Sequence, residues 1–317
     1  MTPLWQDRVS RWLVLFLLVL AGGALLSATS SAQQPPPPSD SYRYRVDVQL
    51  VLVPTTVATA AGRPVTWLER DAFEVLEDGH PRPLKLFEKE TGLPLQLVLL
   101  LDTSLSAASE LKAEKAALLR FVERVLRPVD AAALFDFSGG VRKLADFSHD
   151  PRTLEAALRP LRPRAGTALY DAIIESSAKL KERQGRRVLV LVTDGNDTTS
   201  KHDFQAALRA AQEAEVTIFA LIMRPIPGES GRSVRGEHAM ITFAEMTGGR
   251  VFFPAGMTEL DRFFDDLSEL LRTQYLLGYQ PPPTGARPEF RTIEVRVRGG
   301  DYLVQHRKGY FTGPQQP

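Results

Sequence analysis

The sequence predicts an α/β fold: a doubly wound, mainly parallel sheet with one antiparallel strand, joined to a small β element formed by the N- and C-terminal flanks. Three observations carry this prediction. Leu95 to Leu101 is almost unbroken aliphatic sequence, as expected of a central strand buried on both faces, and it ends abruptly in Asp102-Thr-Ser104-Leu-Ser106. Val188 to Val192 is a second buried apolar run, closed by Thr193-Asp194-Gly195 in the same way. From Leu93 to Gln274, strand patterns alternate with helical ones, which implies parallel strands with helices on both faces.

The 317 residues are 44% hydrophobic and 24% charged, the composition of a folded protein of about two domains. Thirty-nine Lys and Arg against 38 Asp and Glu leave a formal charge of +1, so there is no general pull toward nucleic acid or an anionic membrane. Cysteine is absent, which excludes disulfides, thiolate metal sites and a catalytic thiol.

Residues 1–32 read as an export signal: Arg8 and Arg11, an apolar segment from Trp12 to Leu26, then small residues ending at Ser30 and Ala32. The alternative is an uncleaved anchor, although the apolar run holds Gly22 and Gly23 and is short for a span of about 20 residues. Either way the folded part is expected outside the cytoplasm, periplasmic or extracellular, with membrane contact only through that segment. Residues 33–41 form a proline-rich spacer, stiff and extended.

Residues 42–92 are expected to be a β segment. Tyr42 to Thr59 alternates in period two, Phe73 to Leu76 is a second strand, and the turn signal Glu77-Asp-Gly79-His80 precedes a third at Leu84 to Phe87. The α/β body spans 93–274. After the first buried strand, Glu110 to Leu126 is helical, with Leu111, Leu118, Phe121, Val122 and Val125 on one face. Ala132 to Phe137 and Val141 to Phe147 flank Ser138-Gly-Gly140 too closely for a crossover helix, so one of them runs antiparallel. Helices are expected at Pro151 to Leu161 and Thr167 to Arg183, and the alternation continues through Phe204 to Ala214, Val216 to Met223, Ala239 to Met246, Val251 to Phe253 and Leu260 to Leu271. Residues 275–313 form the C-terminal β segment. There Arg291 to Arg298 and Tyr302 to Arg307 read as strands joined by a hairpin turn at Gly299-Gly-Asp301. The two flanks are expected to pair, because two or three strands alone bury little.

Ligands of open α/β sheets sit beyond the carboxyl ends of the strands, which is where Asp102, Ser104 and Ser106 fall. Three hard oxygen donors within five residues suit a hard cation such as Mg2+. Thr167, in Ala165-Gly-Thr-Ala-Leu-Tyr-Asp171, and Asp194, in Val192-Thr-Asp-Gly-Asn196, lie at the ends of further segments. Neutral hydroxyls around Mg2+ leave the ion electrophilic, so an incoming carboxylate is attracted strongly. Each motif taken singly also reads as a helix cap or a turn.

Together the three motifs resemble the von Willebrand factor A domain, over Leu93 to about Gln274, with its Rossmann-like fold. Asp102, Ser104, Ser106, Thr167 and Asp194 match that family's metal-ion-dependent adhesion site. The resemblance implies that Ser104 and Ser106 bind Mg2+ directly, Thr167 directly or through water, and Asp102 and Asp194 largely through water. It also implies an open coordination position that an acidic side chain of a partner protein fills. The flanks, with Gly62-Arg-Pro-Val65, Phe73 to Gly79, Tyr275-Leu-Leu-Gly-Tyr279 and Lys308-Gly-Tyr-Phe311, look like exported von Willebrand A-related proteins of Acidobacteria.

Asp171 reads either as support for the metal or as a capping residue, and Asp197 as a loop or capping residue. The segment Arg224 to Glu237 is long for a connection; it reads either as a flexible solvated loop or as one bordering the metal face, with Arg224, Arg232 and Arg235 attracting an acidic partner. The five histidines show no zinc spacing, and there is no nucleophile elbow, Walker loop or dinucleotide fingerprint. The expected function is thus an exported, Mg2+-dependent, non-enzymatic protein-binding module of the adhesion type, with Mn2+ or Ca2+ as other ions for the site. Two alternatives stay open: a metal-assisted hydrolase, for which the motifs offer no evident general base, and an envelope component stabilised by its metal.

Overall fold

The computed structural model describes residues 50–89, 92–104, 111–193, 195–222, 234–254, 259–283 and 288–312. The export signal, the proline-rich spacer and the expected strand start at Tyr42 lie outside these. Four strands come from the N-terminal flank: β1 Val51–Thr59, β2 Phe73–Glu77, β3 His80–Arg82 and β4 Leu84–Lys89. β2 and β3 are joined by a tight turn in which Asp78 and Gly79 both take positive φ, the backbone that Asp-Gly permits.

The α/β body follows in the expected order. It comprises β5 Leu95–Leu101, α1 Leu111–Val125, β6 Ala131–Asp136, β7 Arg142–Ser148, α2 Pro151–Leu158, α3 Leu169–Lys181, β8 Arg186–Thr193, α4 Phe204–Glu213, β9 Thr217–Ile222, α5 Val234–Thr247, β10 Val251–Phe252 and α6 Leu260–Arg272. The sheet order is β10-β9-β8-β5-β6-β7, parallel except for β7, which pairs antiparallel with β6. β5 and β8 are the central pair and every residue of β5 is buried. Leu95, Leu97, Leu99 and Leu101 face one core with α1 and α6, where Phe121 stacks on Phe264 at 4.8 Å. Val98 and Leu100 face the other core, with α3, α4 and α5. Aliphatic side chains on both faces are what leave this segment with only polar ends.

The last four strands are β11 Tyr275–Tyr279, β12 Phe290–Val297, β13 Tyr302–His306 and β14 Gly309–Phe311. The two flanks build two antiparallel four-stranded sheets, ordered β13-β1-β11-β4 and β14-β12-β2-β3. Their inner faces share one core that includes Val53, Val75, Tyr275, Leu277, Ile293 and Val295. The expected hairpin between β12 and β13 does not form. β12 pairs with β2 and β14, β13 pairs with β1, and the turn at Gly299 carries the chain from one sheet to the other. Both strands alternate, and each buries its apolar side more fully against the opposite sheet than a bare hairpin would allow. Among the described residues no helix is long and apolar enough to cross a membrane.

Candidate functional site

β5 and β8 bring their carboxyl ends together at one edge of the sheet, and the Asp102 N–H donates to the Val192 carbonyl at 2.9 Å. Asp102 is 1% exposed. Its Oδ1 accepts from the Ser104 N–H at 2.8 Å and from Ser138 Oγ at 3.4 Å, and its Oδ2 accepts from Thr193 Oγ1 at 3.0 Å. The first of these is the local turn that an Asp favours by bonding the backbone two residues on.

Ser104 and Thr167 are both buried at the same edge. Ser104 forms a parallel bridge with Arg164, and the Arg164 N–H donates to the Thr103 carbonyl at 2.9 Å. Thr167 bridges Ser138, while the Gly139 N–H donates to the Gly166 carbonyl and the Ala168 N–H to the Phe137 carbonyl. The Thr167 N–H donates to Thr198 Oγ1 at 2.9 Å, and its carbonyl accepts from the N–H groups of Thr198 and Thr199. Gly166 is required here: its φ is +83°, and a side-chain carbon would sit 2.9 Å from Thr199 Cγ2. Residues 102–104, 137–139, 164–168 and 198–199 are thereby laced into one patch. Ser106 and Asp194 lie outside the described residues.

Thr167 is not helical, contrary to the expected start of its helix. Its backbone is bonded sideways to the 137–139 and 198–199 loops, and α3 begins at Leu169. Asp197 caps that helix from a distance, its Oδ1 accepting from the N–H of Leu169 at 2.8 Å and from Ser200 Oγ at 2.6 Å. Asp171 holds the following loop, accepting from the N–H groups of Lys201 and His202 and from the His202 ring at 2.7 Å. Burial pushes the Asp171 carboxyl up, but these bonds outweigh it and hold the group below the usual carboxylate range.

Four residues of the patch were not picked out from the sequence: Thr103, Asp136, Ser138 and Thr193. Asp136 ends β6, is fully buried, accepts from Thr103 Oγ1 at 2.8 Å and from the Ser138 N–H at 3.1 Å, and pairs with Arg142. The signal for it was available, since an Asp at the carboxyl end of a neighbouring parallel strand obeys the same placement rule as Asp102. Ser138 read only as part of a turn.

Asp102, Ser104 and Thr167 fit a hard cation. Both oxygens of Asp102 already accept protein hydrogen bonds, so its carboxylate is set to orient a metal-bound water rather than to take the ion outright. No group of three or more His, Cys, Asp or Glu that could hold an ion occurs among the described residues.

Around the patch, Arg224 and Arg232 lie outside the described residues, but Arg235 is exposed on the first turn of α5. That turn lies against Gly195, where a side-chain carbon would be 3.3 Å from the Gly236 carbonyl carbon. On the other side a cleft of about 630 Å³ is lined by Gly139, Asp171, Thr199, Lys201 and His202.

Residues 97–196 match a family model described as the von Willebrand factor type A domain. Among solved structures, the von Willebrand factor type A protein from Catenulispora acidiphila is 12% identical with a TM-score of 0.50, covering 76% of this chain and 74% of that one. The conserved hypothetical protein BatB from Bacteroides thetaiotaomicron is 16% identical with a TM-score of 0.46, covering 56% of this chain and 100% of that one. The vWF domain of the type V pili tip protein Mfa5 from Porphyromonas gingivalis is 15% identical with a TM-score of 0.46, covering 56% and 95%. These likenesses are of fold. No curated protein matches the sequence.

Proposed function

From the match of residues 97–196 to the von Willebrand factor type A domain, we propose that this chain is an exported, non-enzymatic protein-binding module whose grip on its partner depends on Mg2+. The carrying observation is the buried patch at the carboxyl edge of β5, in which Asp102 is held by Ser104, Ser138 and Thr193 beside the buried hydroxyls of Ser104 and Thr167. The residues that would hold the ion are Asp102, Ser104, Ser106, Thr167 and Asp194. Bound Mg2+ supplies an electrophilic position that an acidic side chain of the partner completes.

The protein's own part is positioning. Ser138 and Thr193 fix the Asp102 carboxylate in one orientation, and the 198–199 loop fixes Thr167 through both its N–H and its carbonyl. Arg235, exposed on the first turn of α5, places a positive charge near the patch, which favours approach of an acidic surface. Export is supported by the residue pattern of 1–32, Arg8 and Arg11 before an apolar run and small residues. Mn2+ or Ca2+ would fit the same oxygen donors.

Two measurements on the full chain test this. Mn2+ titrated against the protein and followed by the electron paramagnetic resonance of the free ion should show one saturable site, weakened roughly tenfold or more by Ser104→Ala or Thr167→Ala. Immobilised protein should then retain a partner from an envelope extract with Mg2+ and release it with EDTA. Absence of saturable Mn2+ binding, or identical retention with and without EDTA, would sink the proposal.

A further inference from the structure

At the end of the sheet opposite Asp102, where β8 and β9 begin, a cavity of about 60 Å³ lies between the α/β body and the two flanking sheets. Three side chains lining it, Arg186, Gln212 and Arg307, are each more than nine-tenths buried. All three carry N–H groups with no acceptor among the described residues: Nε of Arg186, Nε2 of Gln212, and both Nε and Nη2 of Arg307. Buried donors left in this way are rare, because each forfeits the hydrogen bonds that water supplied.

Charge is unbalanced in the same place. Arg307 pairs with Glu215 at 2.8 Å, and Arg187, which also lines the cavity, reaches that same carboxylate at 3.7 Å. Among the described residues the Arg186 guanidinium has a neutral hydrogen-bond partner, the Gln274 side-chain oxygen at 2.6 Å, and no paired carboxylate. The nearby Asp130 is already taken by Arg127 and Arg272. Burial brings Arg186 down to about 10, with repulsion from Arg272 and Arg127 adding to the effect, so it stays charged at neutral pH. Three arginines thus line the cavity with one carboxylate, Glu215, which only Arg307 and Arg187 reach and which belongs to a half-exposed residue.

We propose that this cavity is a binding site for a small oxyanion of phosphate or carboxylate size, held by Arg186, Gln212 and Arg307 between the body and the flanking sheets. The anion completes the hydrogen bonding of the orphaned donors and balances the buried cations, so its binding stabilises the docking of the two layers. The site is independent of the metal patch, which lies at the other end of the strands.

The test is thermal unfolding and isothermal titration of the full chain with sodium phosphate, sodium acetate and sodium chloride at matched ionic strength, in EDTA. The wild-type protein should gain melting temperature saturably in phosphate or acetate over chloride, and the stronger of the two identifies the oxyanion class. Gln212→Glu places a carboxylate at the cavity and should weaken anion binding roughly tenfold or more, while raising the melting temperature in chloride. Glu215→Gln, at a half-exposed position, removes the competing carboxylate and should tighten binding. Equal wild-type melting curves in all three salts would overturn the proposal, and so would an anion response that neither substitution changes.

Discussion

Asp102 shows how one side chain organises the site. It receives Ser104 N–H and Ser138 Oγ on one oxygen and Thr193 Oγ1 on the other, so it must accept at both. An amide accepts at one atom only. Asp102→Asn should therefore cost on the order of 1–3 kcal/mol, read as a lower urea midpoint with an unchanged slope. His306 makes a second prediction. Its Nδ1–H donates to its neighbour's carbonyl at 2.8 Å, which either form of the ring can do, but its Nε2 accepts from the Val295 N–H at 3.2 Å, and that bond requires the neutral form. Burial pushes it down to about 4. Its folded value lies below the unfolded one, so its contribution is complete above about pH 6.5 and is lost as pH falls toward 4, by roughly 3 kcal/mol at most. Melting temperatures measured from pH 7 to 4 should fall less steeply in His306→Gln.

Among the elements, α3 matters most to the site because its N-terminus follows Thr167 by two residues. Ala168 at its N-cap offers no side-chain acceptor, and the acceptor comes instead from Asp197, across the loop. Asp197→Ala should destabilise the protein by about 1 kcal/mol in chemical denaturation. It should also weaken Mn2+ binding, since it frees the 196–200 loop that holds Thr167. The existence and kind of the body's elements were legible because β5 and β8 carry long aliphatic runs, Leu97 to Leu101 and Val188 to Val192, and the helices keep a 3.6-residue stripe. Element edges were not. Thr167 looked helical from its neighbours, but long-range bonds to Thr198 and Phe137 claimed that stretch of backbone, and no local pattern reports such partners.

For the whole molecule, the flanks and the body meet closely around Gly248, at the end of α5. Its φ is +83°, and a side-chain carbon there would lie 2.5 Å from the Arg307 nitrogen and 2.7 Å from the His306 carbonyl carbon. Gly248→Ala should cost roughly 2–4 kcal/mol, from backbone strain together with overpacking, and should be visible as a lowered melting temperature and faster proteolysis of the flanking strands. Asp102 and Ser104 stood out in the sequence because a short polar burst after a buried strand is a local signal, Thr167 stood out through its motif, and the structure sets all three at one edge of the sheet. The parallel sheet was legible for a similar reason, since hydrophobic period and run length are properties of consecutive residues. The partners that orient the site, Ser138 and Thr193, the exchange of β12 and β13 between two sheets, and the arginine-lined cavity all depend on residues far apart in the chain, 36 positions for Asp102 and Ser138 and more than 200 for β1 and β13. Those pairings were settled by which surfaces bury each other best once the chain is compact, and a linear pattern carries no record of that choice.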